Sequence, residues 1–234
     1  MENKRLGIIG GMGPKATSVF MDRIIDHTVA ERDQDHIDML VLNHATLPDR
    51  TEVILENDGR KFLTAIEPDF RFMEHAGVSH IAIPCNTSHY FYDDMQGMTT
   101  IPIINMVEET LKVIAERYGK GSQAGLLATN GTVRSGVYRK AAERLGIRLY
   151  EPDASVQQQV MDIIYDFKKG KKDSSAELES VVRQLLDREG CDCAILACTE
   201  LSCIPVSEET AAYCADAMDV LVRKSIELSG KRFG

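Results

Sequence analysis

Residues 81–87 read Ile-Ala-Ile-Pro-Cys-Asn-Thr, and residues 194–200 read Ala-Ile-Leu-Ala-Cys-Thr-Glu. In each stretch a short apolar run, typical of a buried strand, ends in a cysteine that polar residues follow. The two stretches lie 194 − 81 = 113 positions apart. A second pair, Leu-Gly-Ile-Ile-Gly-Gly-Met-Gly at 6–13 and Ala-Gly-Leu-Leu-Ala-Thr-Asn-Gly at 124–131, lies 124 − 6 = 118 positions apart. Two pairs at nearly one offset predict two copies of one structural unit.

Strand-like and helix-like segments alternate along the whole chain. The predicted strands are 6–9, 39–42, 80–83, 101–104, 124–127, 148–150 and 193–197. The predicted helices are 16–29, 62–75 (kinked or split at Pro68), 106–118, 133–145, 156–168, 177–187 and 208–228. Such alternation is typical of right-handed βαβ units, which form parallel sheets with helices on both faces.

The fold class that follows is α/β, with two pseudo-symmetric domains, each a parallel sheet flanked by helices. We expect the first domain to comprise residues 1–115 plus 206–234, and the second to comprise 116–205. Ligands of open parallel sheets bind at the carboxyl ends of the strands, so the site is expected at that edge of the sheets.

Composition and charge narrow the classes of function. The net charge of −9 argues against a nucleic-acid partner, since such proteins meet phosphate with basic patches. The apolar runs are too short to cross a membrane, and no basic segment followed by an apolar run opens the chain. The cysteines are therefore interpreted as reduced thiols of a cytoplasmic protein. They occupy positions 85, 191, 193, 198, 203 and 214.

Two of these cysteines, Cys85 and Cys198, each follow a predicted strand. A thiol at the start of a helix feels the positive end of the helix dipole, which lowers its pKa. If the two units face each other, the thiols approach a ligand from opposite sides. One can then remove a proton from a tetrahedral carbon while the other delivers a proton to the opposite face.

Other interpretations compete with this one. Cysteines beside strands are most often buried and inert, although the matched contexts of Cys85 and Cys198 favour a function. Residues 11–16 fit the dinucleotide fingerprint G-x-G-x-x-A, but the second strand ends in Asn43-His44, without an acidic residue for a ribose. Cys191 and Cys193 have no second pair of ligands at a spacing suitable for a metal.

Four motifs together resemble the aspartate/glutamate racemase family, and its aspartate-racemase branch in particular. They are Gly-Gly-Met-Gly-Pro at 10–14, Pro-Asp-Arg-Thr at 48–51, Pro-Cys-Asn-Thr at 84–87 and Ala-Cys-Thr-Glu at 197–200. The resemblance covers nearly the whole chain. It implies two similar α/β domains with the active site in the cleft between them. It also implies racemisation without pyridoxal phosphate, metal or nucleotide, with the two cysteines as the acid/base pair. It also implies a homodimer and a small acidic amino acid as substrate.

The resemblance also assigns roles to further residues. Arg50 matches the arginine that grips the side-chain carboxylate of the substrate, a task that suits a guanidinium. Lys168 looks like the lysine that assists from the second domain, although its neighbour Lys169 leaves the register open by one residue. The remaining expected substrate-binding residues are Met12, Asn86, Thr87, Thr132, Thr199 and Glu200.

The identity of the substrate is the least determined point. Glutamate racemases typically carry Asp-Ser-Gly near the first turn and a histidine soon after the second cysteine. Here Gly11-Met12-Gly13 and Glu200 occupy those places, which favours aspartate. A broader amino-acid racemase or a glutamate racemase stays open, and so does a thiol sensor or an amino-acid-binding module that keeps the fold without turnover.

Overall fold

The computed structural model describes residues 4–171 and 173–234. The chain is α/β, with two parallel sheets flanked by helices, as the alternation of segments predicts. It divides into two compact units, Met1–Met106 with Met218–Gly234 and Val107–Ala217. The domain limits expected from the sequence, 1–115 with 206–234 and 116–205, stay a prediction.

The elements have the following bounds. The strands are β1 (Leu6–Gly10), β2 (Met39–Asn43), β3 (His80–Ala82), β4 (Gln123–Ala128), β5 (Arg148–Tyr150), β6 (Cys193–Ala197) and β7 (Cys214–Asp216). The helices are α1 (Pro14–His27), α2 (Arg50–Leu55), α3 (Gly59–His75), α4 (Tyr92–Gly97), α5 (Met106–Tyr118), α6 (Asn130–Ser135), α7 (Val137–Leu145), α8 (Ala154–Lys168), α9 (Ser175–Asp187), α10 (Thr199–Ser202), α11 (Glu208–Ala211) and α12 (Ala217–Leu228). Short 3-10 turns occupy Asp33–Asp35 and Thr87–Phe91.

The first unit is built on three parallel strands in the order β2-β1-β3. Helix α3 covers this sheet with Phe62, Ile66, Phe70 and Met73, all buried. These side chains recur at the spacing of one helix face, which is why the segment folds as an amphipathic helix against the sheet. Pro68 lies inside α3, and the helix runs through it as one element, so the predicted split does not occur.

The second unit is built on four parallel strands in the order β5-β4-β6-β7. Helix α9 packs on it with Leu178, Val181, Val182 and Leu185, which again share one face. Strands β4 and β6 are buried almost throughout, as expected of central strands covered by helices on both sides.

The turn after β1 requires a glycine. Gly11 has φ +94°, which is strained for any residue with a side chain. A Cβ at Gly11 would lie 2.3 Å from the carbonyl carbon of His44, so the main chain after β2 packs directly on this turn. The amide of His44 donates a hydrogen bond to the carbonyl of Gly10 at 3.2 Å. The segments that follow β1 and β2 are therefore held together at the carboxyl edge of the sheet.

Three predictions about elements are wrong. Residues 101–104 form no strand, and only Ile103 makes an isolated parallel bridge, to Ile81. The predicted helix 133–145 is two helices, α6 and α7, because Gly136 adopts a left-handed conformation between them. The predicted helix 208–228 is interrupted by the short strand β7, which pairs with β6.

Candidate active site

Cys85 lies just beyond the carboxyl end of β3, in a tight turn. Its thiol is 5% exposed and packs in the apolar cluster of the first unit. Its amide donates to the carbonyl of Ile83 at 2.7 Å, and its own carbonyl accepts from the hydroxyl of Ser88 at 2.8 Å. The main chain that carries the thiol is thus fixed on both sides.

His89 also holds this turn. Its Nδ1 donates to the Cys85 carbonyl at 2.8 Å, and its Nε2 accepts from the amide of Met106 at 3.1 Å. One nitrogen donates and the other accepts, which describes a neutral imidazole. Burial lowers the pKa of His89 below its ordinary value, in agreement with that state. We conclude that His89 supports the cysteine turn from behind.

Arg50 is the first residue of α2, and its side chain is 9% exposed. Asp49 caps the helix by accepting from the amide of Glu52, which sets where the helix begins. The Nη1 atom of Arg50 donates to the carbonyl of Pro48 at 2.8 Å and to that of Leu47 at 3.4 Å. Among the described residues, buried Nε has no hydrogen-bond partner and no carboxylate pairs with the guanidinium. Arg50 is therefore a buried cation able to receive an anionic ligand.

Cys198 follows β6 in the second unit, in the place that Cys85 has after β3. Its Sγ donates to Oε2 of Glu200 at 2.9 Å, and both residues are buried. Burial, followed by the charge of Glu200, raises the pKa of the Cys198 thiol well above its ordinary value. This reverses the expectation of a lowered pKa, since α10 is a single turn and the carboxylate lies much closer than any dipole. Cys198 is held as a protonated thiol.

Lys168 partly offsets the charge of Glu200. Its Nζ lies 3.7 Å from Oε1 of Glu200 and 5.4 Å from the ring centre of Tyr165. The opposite charge acts to lower the pKa of Cys198, against the larger effects of burial and Glu200. Lys169 is the residue at which α8 ends. Of the two lysines considered from the sequence, the structure thus brings Lys168 to the carboxylate beside the second cysteine.

The other predicted substrate-binding residues are all strongly buried. Met12 packs in the same apolar cluster as Cys85. Thr132 is fully buried, and its amide and hydroxyl both lie within hydrogen-bond distance of the Thr129 hydroxyl, at 3.2 and 3.1 Å, which caps α6. Three more lie in the turns that follow the cysteines, Asn86, Thr87 and Thr199. Their contacts with a substrate stay predictions.

The sequence analysis missed one interacting pair of side chains, His44 and Asp69. His44, the first residue after β2, places Nδ1 2.9 Å and 3.1 Å from the two carboxylate oxygens of Asp69 in α3. Asp69 is 3% exposed, whereas the His44 side chain is 29% exposed. Burial raises the pKa of Asp69, and the hydrogen bond from His44 acts in the opposite direction. The position of His44 directly after a strand was the one available signal, because 25 residues separate it from Asp69.

Two classes of site receive no support from the part of the chain that is described. Residues 4–171 and 173–234 contain no group of three or more His, Cys, Asp or Glu side chains arranged to hold a metal ion. Nor does any helix within these ranges combine the length and the apolar character that crossing a membrane requires.

Comparison with known proteins gives a consistent picture. Residues 9–224 match the family described as Asp/Glu/Hydantoin racemase. The broad specificity amino-acid racemase RacX of Bacillus subtilis (strain 168) is 31% identical over 205 residues, covering 85% of this chain and 86% of that protein. The solved aspartate racemase of Picrophilus torridus is 33% identical with a TM-score of 0.86, covering 99% of this chain and 96% of that one. An aspartate racemase homologue from Pyrococcus horikoshii OT3 shares the fold at 21% identity, with a TM-score of 0.78 and coverage of 97% and 99%.

Proposed function

The chain belongs to the Asp/Glu/hydantoin racemase family as an amino-acid racemase, and we propose that it interconverts L- and D-aspartate by proton transfer at Cα between Cys85 and Cys198. The observation that carries the proposal is the equivalence of the two cysteines. Each follows the carboxyl end of a buried strand, Cys85 three positions after β3 and Cys198 directly after β6, and each of these strands neighbours the first strand of its own parallel sheet. Ligands bind at that edge of a parallel sheet.

The proposed reaction conserves protons without a further reactant. A thiolate on one face takes the Cα proton, so that a C–H bond breaks and an S–H bond forms. The thiol on the other face gives its proton to the carbanion, so that an S–H bond breaks and a C–H bond forms with inverted configuration. The protonated state of Cys198 suits it to deliver a proton first, with Cys85 as the base. For the opposite direction the roles exchange.

Glu200 is proposed to control the protonation of the Cys198 thiol. When the thiol gives up its proton, a thiolate would face the carboxylate at 2.9 Å, which is unfavourable in a buried site. Lys168 at 3.7 Å offsets part of that repulsion. The arrangement therefore returns a proton readily to Cys198 and resets the acid for another turnover.

Arg50 is proposed to hold the side-chain carboxylate of the substrate. It is buried, and no carboxylate pairs with it within the described ranges, so an incoming dicarboxylate would supply the missing counterion. Main-chain amides and hydroxyls of Asn86, Thr87 and Thr199 are proposed to bind the α-carboxylate and to stabilise the charge of the carbanion. We further propose that the enzyme needs no cofactor, works in the cytoplasm and forms a homodimer.

Broad specificity is the second candidate. It is favoured by the similarity to RacX of Bacillus subtilis, which is a broad specificity amino-acid racemase, over most of both chains. The two candidates differ in what Arg50 does. An aspartate racemase depends on this residue for catalysis, whereas a broad racemase turns over uncharged amino acids whether or not the arginine is present.

Proton NMR in D₂O separates these possibilities. Purified protein without added cofactor is incubated with single enantiomers of aspartate, glutamate and alanine, and both deuterium at Cα and optical inversion are followed. Cys85→Ser and Cys198→Ser are expected to abolish inversion. Cys203→Ser, which alters a thiol five positions from Cys198, is the matched control and should retain it. Failure to exchange any amino acid would refute the racemase mechanism and favour a binding or sensing role.

A further inference from the structure

His44 and Asp69 form a pair of titratable side chains that the proton transfer between the cysteines does not use. Asp69 is buried, and both of its carboxylate oxygens lie within 3.1 Å of Nδ1 of His44. A buried carboxylate that fixes one imidazole nitrogen orients the other nitrogen, as in catalytic and metal-binding histidines. The pair is thus an oriented imidazole and not a surface ion pair.

The second nitrogen of His44 is free to contact a ligand. Among the described residues Nε2 has no hydrogen-bond partner, and it is not a buried atom. Because Nδ1 points at buried Asp69, the 29% of the side chain that is exposed lies towards the opposite edge of the ring. When both ring nitrogens carry a proton, Nδ1 donates to Asp69 and Nε2 can donate to an anionic ligand.

The strand register places this imidazole near the proposed site. Gly10 is level with Asn43 of β2, and Ile8 is level with Ala82 of β3. Met12, which follows Gly11, packs in the same apolar cluster as Cys85, and His44 packs on Gly11. His44 and Cys85 follow β2 and β3, which flank β1 and therefore lie two interstrand spacings, about 10 Å, apart.

That separation decides which part of a substrate His44 would contact. A substrate whose Cα lies at the Cys85 thiol would meet His44 with its side chain if that side chain extends across the glycine turn towards β2. Arg50, six positions after His44 in the chain, is the first residue of α2 and lies at the same edge of the sheet. Both residues lie in the first unit, so this argument concerns that unit alone.

We propose that His44, oriented by Asp69, is a specificity-determining residue that binds the side-chain carboxylate of the substrate through Nε2, together with Arg50. The inference rests on the proposed aspartate racemase function and assigns the far end of its substrate site. Arg50 supplies a charge without a counterion, and His44 supplies a donor whose direction Asp69 fixes. Two different donors thereby define the position of one carboxylate.

Two substitutions separate a contact with substrate from a purely structural role. In His44→Asn the amide nitrogen replaces Nδ1, so the hydrogen bond to Asp69 is retained and the contact through Nε2 is lost. In His44→Gln the amide nitrogen reaches the place of Nε2, and the bond to Asp69 is lost. His75→Asn is the matched control, since His75 is exposed and its Nδ1 bonds only to a carbonyl of its own helix.

The experiment measures KM and kcat for L-aspartate and the thermal midpoint of each variant. His44→Asn is expected to raise KM about tenfold to a hundredfold, the loss of one hydrogen bond to a charged group, with a change of kcat below about threefold. His44→Gln is expected to raise KM less than His44→Asn does, and yet to unfold at the lower temperature, because it leaves Asp69 buried without its partner. Loss of affinity and loss of stability therefore rank the two variants in reversed order: His44→Asn loses more affinity, and His44→Gln loses more stability.

Three outcomes are decisive. The reversed order supports the inference. An active wild type in which His44→Asn keeps its KM, while His44→Gln loses both affinity and stability, overturns it and leaves a structural role. A wild type that does not racemise aspartate refutes the proposed function, and the inference with it, before any variant is compared.

Discussion

Substitution of Arg50 by methionine tests whether a buried cation is kept for a ligand at the expense of stability. Methionine has a similar length and no charge. The two carbonyl hydrogen bonds of Arg50, at 2.8 and 3.4 Å, are the interactions that the folded protein loses. Hydrogen bonds to charged groups contribute about 1.5–3 kcal/mol each, and the longer of these two contributes least.

The stability gained by removing the buried charge is similar in size to the stability lost with the two hydrogen bonds. Burying an ion that lacks a counterion costs several kcal/mol, and Arg50→Met removes that cost. The two effects nearly cancel, so we expect a change in stability within about 1 kcal/mol. For a chain of this length that corresponds to a shift of about 2–4 °C in Tm.

Catalysis should respond very differently. A guanidinium that holds a carboxylate through two charge-assisted bonds contributes about 3–6 kcal/mol, so kcat/KM for aspartate should fall at least about a hundredfold. Circular dichroism follows both quantities, through the ellipticity of the substrate enantiomers at fixed wavelength and through thermal unfolding of the protein. Arg50→Lys, which keeps the charge and loses the paired geometry, should lie between the two.

The reasoning is refuted by a Tm that falls by more than about 10 °C, because Arg50 would then be a structural residue. It is equally refuted by unchanged kcat/KM for aspartate in a well-folded variant. Retained turnover of alanine beside lost turnover of aspartate would instead identify a broad specificity enzyme with an arginine that serves acidic substrates alone.

Three more predictions follow from the structure. Glu200→Gln should lower the pKa of the Cys198 thiol, so that iodoacetamide modifies this residue about tenfold faster for each unit by which the pKa falls. Peptide mass spectrometry measures the rate of modification, and an unchanged rate would contradict the charge effect. Burial holds the pKa of His89 below its ordinary value, so the unfolded chain binds the proton first and the free energy of unfolding declines as pH falls below about 6.5. His89→Gln should reduce the dependence of this free energy on pH by up to about 1.4 kcal/mol per pH unit in urea titrations. An equal dependence in wild type and variant would argue against this explanation. Gly11→Ala should destabilise the protein by about 2–5 kcal/mol, against about 1–2 kcal/mol for Gly77→Ala, whose Cβ would meet no atom within 4 Å; similar losses would show that the close main-chain approach is not rigid.

The repeat in the sequence predicts the fold well because it reports on local rules. An apolar run followed by a polar turn is the same signal in both halves, and both runs are strands, β3 and β6. The strand β7 lacks this local signal, and the sequence analysis therefore missed it. Its three residues end in Asp216 and carry no apolar run, and the strand exists because its main chain completes a ladder with β6.

The candidate site is predicted less completely, because its chemistry depends on partners that the fold supplies. The position of Cys198 after a strand is visible in the sequence, but the raised pKa of its thiol comes from burial in the folded protein and from the carboxylate of Glu200 beside it. Likewise the choice between Lys168 and Lys169 depends on which of them emerges from α8 towards that carboxylate. The link between His44 and Asp69 is tertiary, and no local pattern announces it.

The division of the chain affects how the protein is made on the ribosome. The first unit needs α12, which is synthesised only after the entire Val107–Ala217 segment. The late residues are tied into it closely: Phe233 bridges to Thr28, and Ser229 bonds to His80. The second unit is therefore complete in the nascent chain while the first unit, whose three strands have all been made, still lacks its last helix. A premature stop before α12 would spare the later-made unit and leave the earlier-made one exposed to chaperones and proteases.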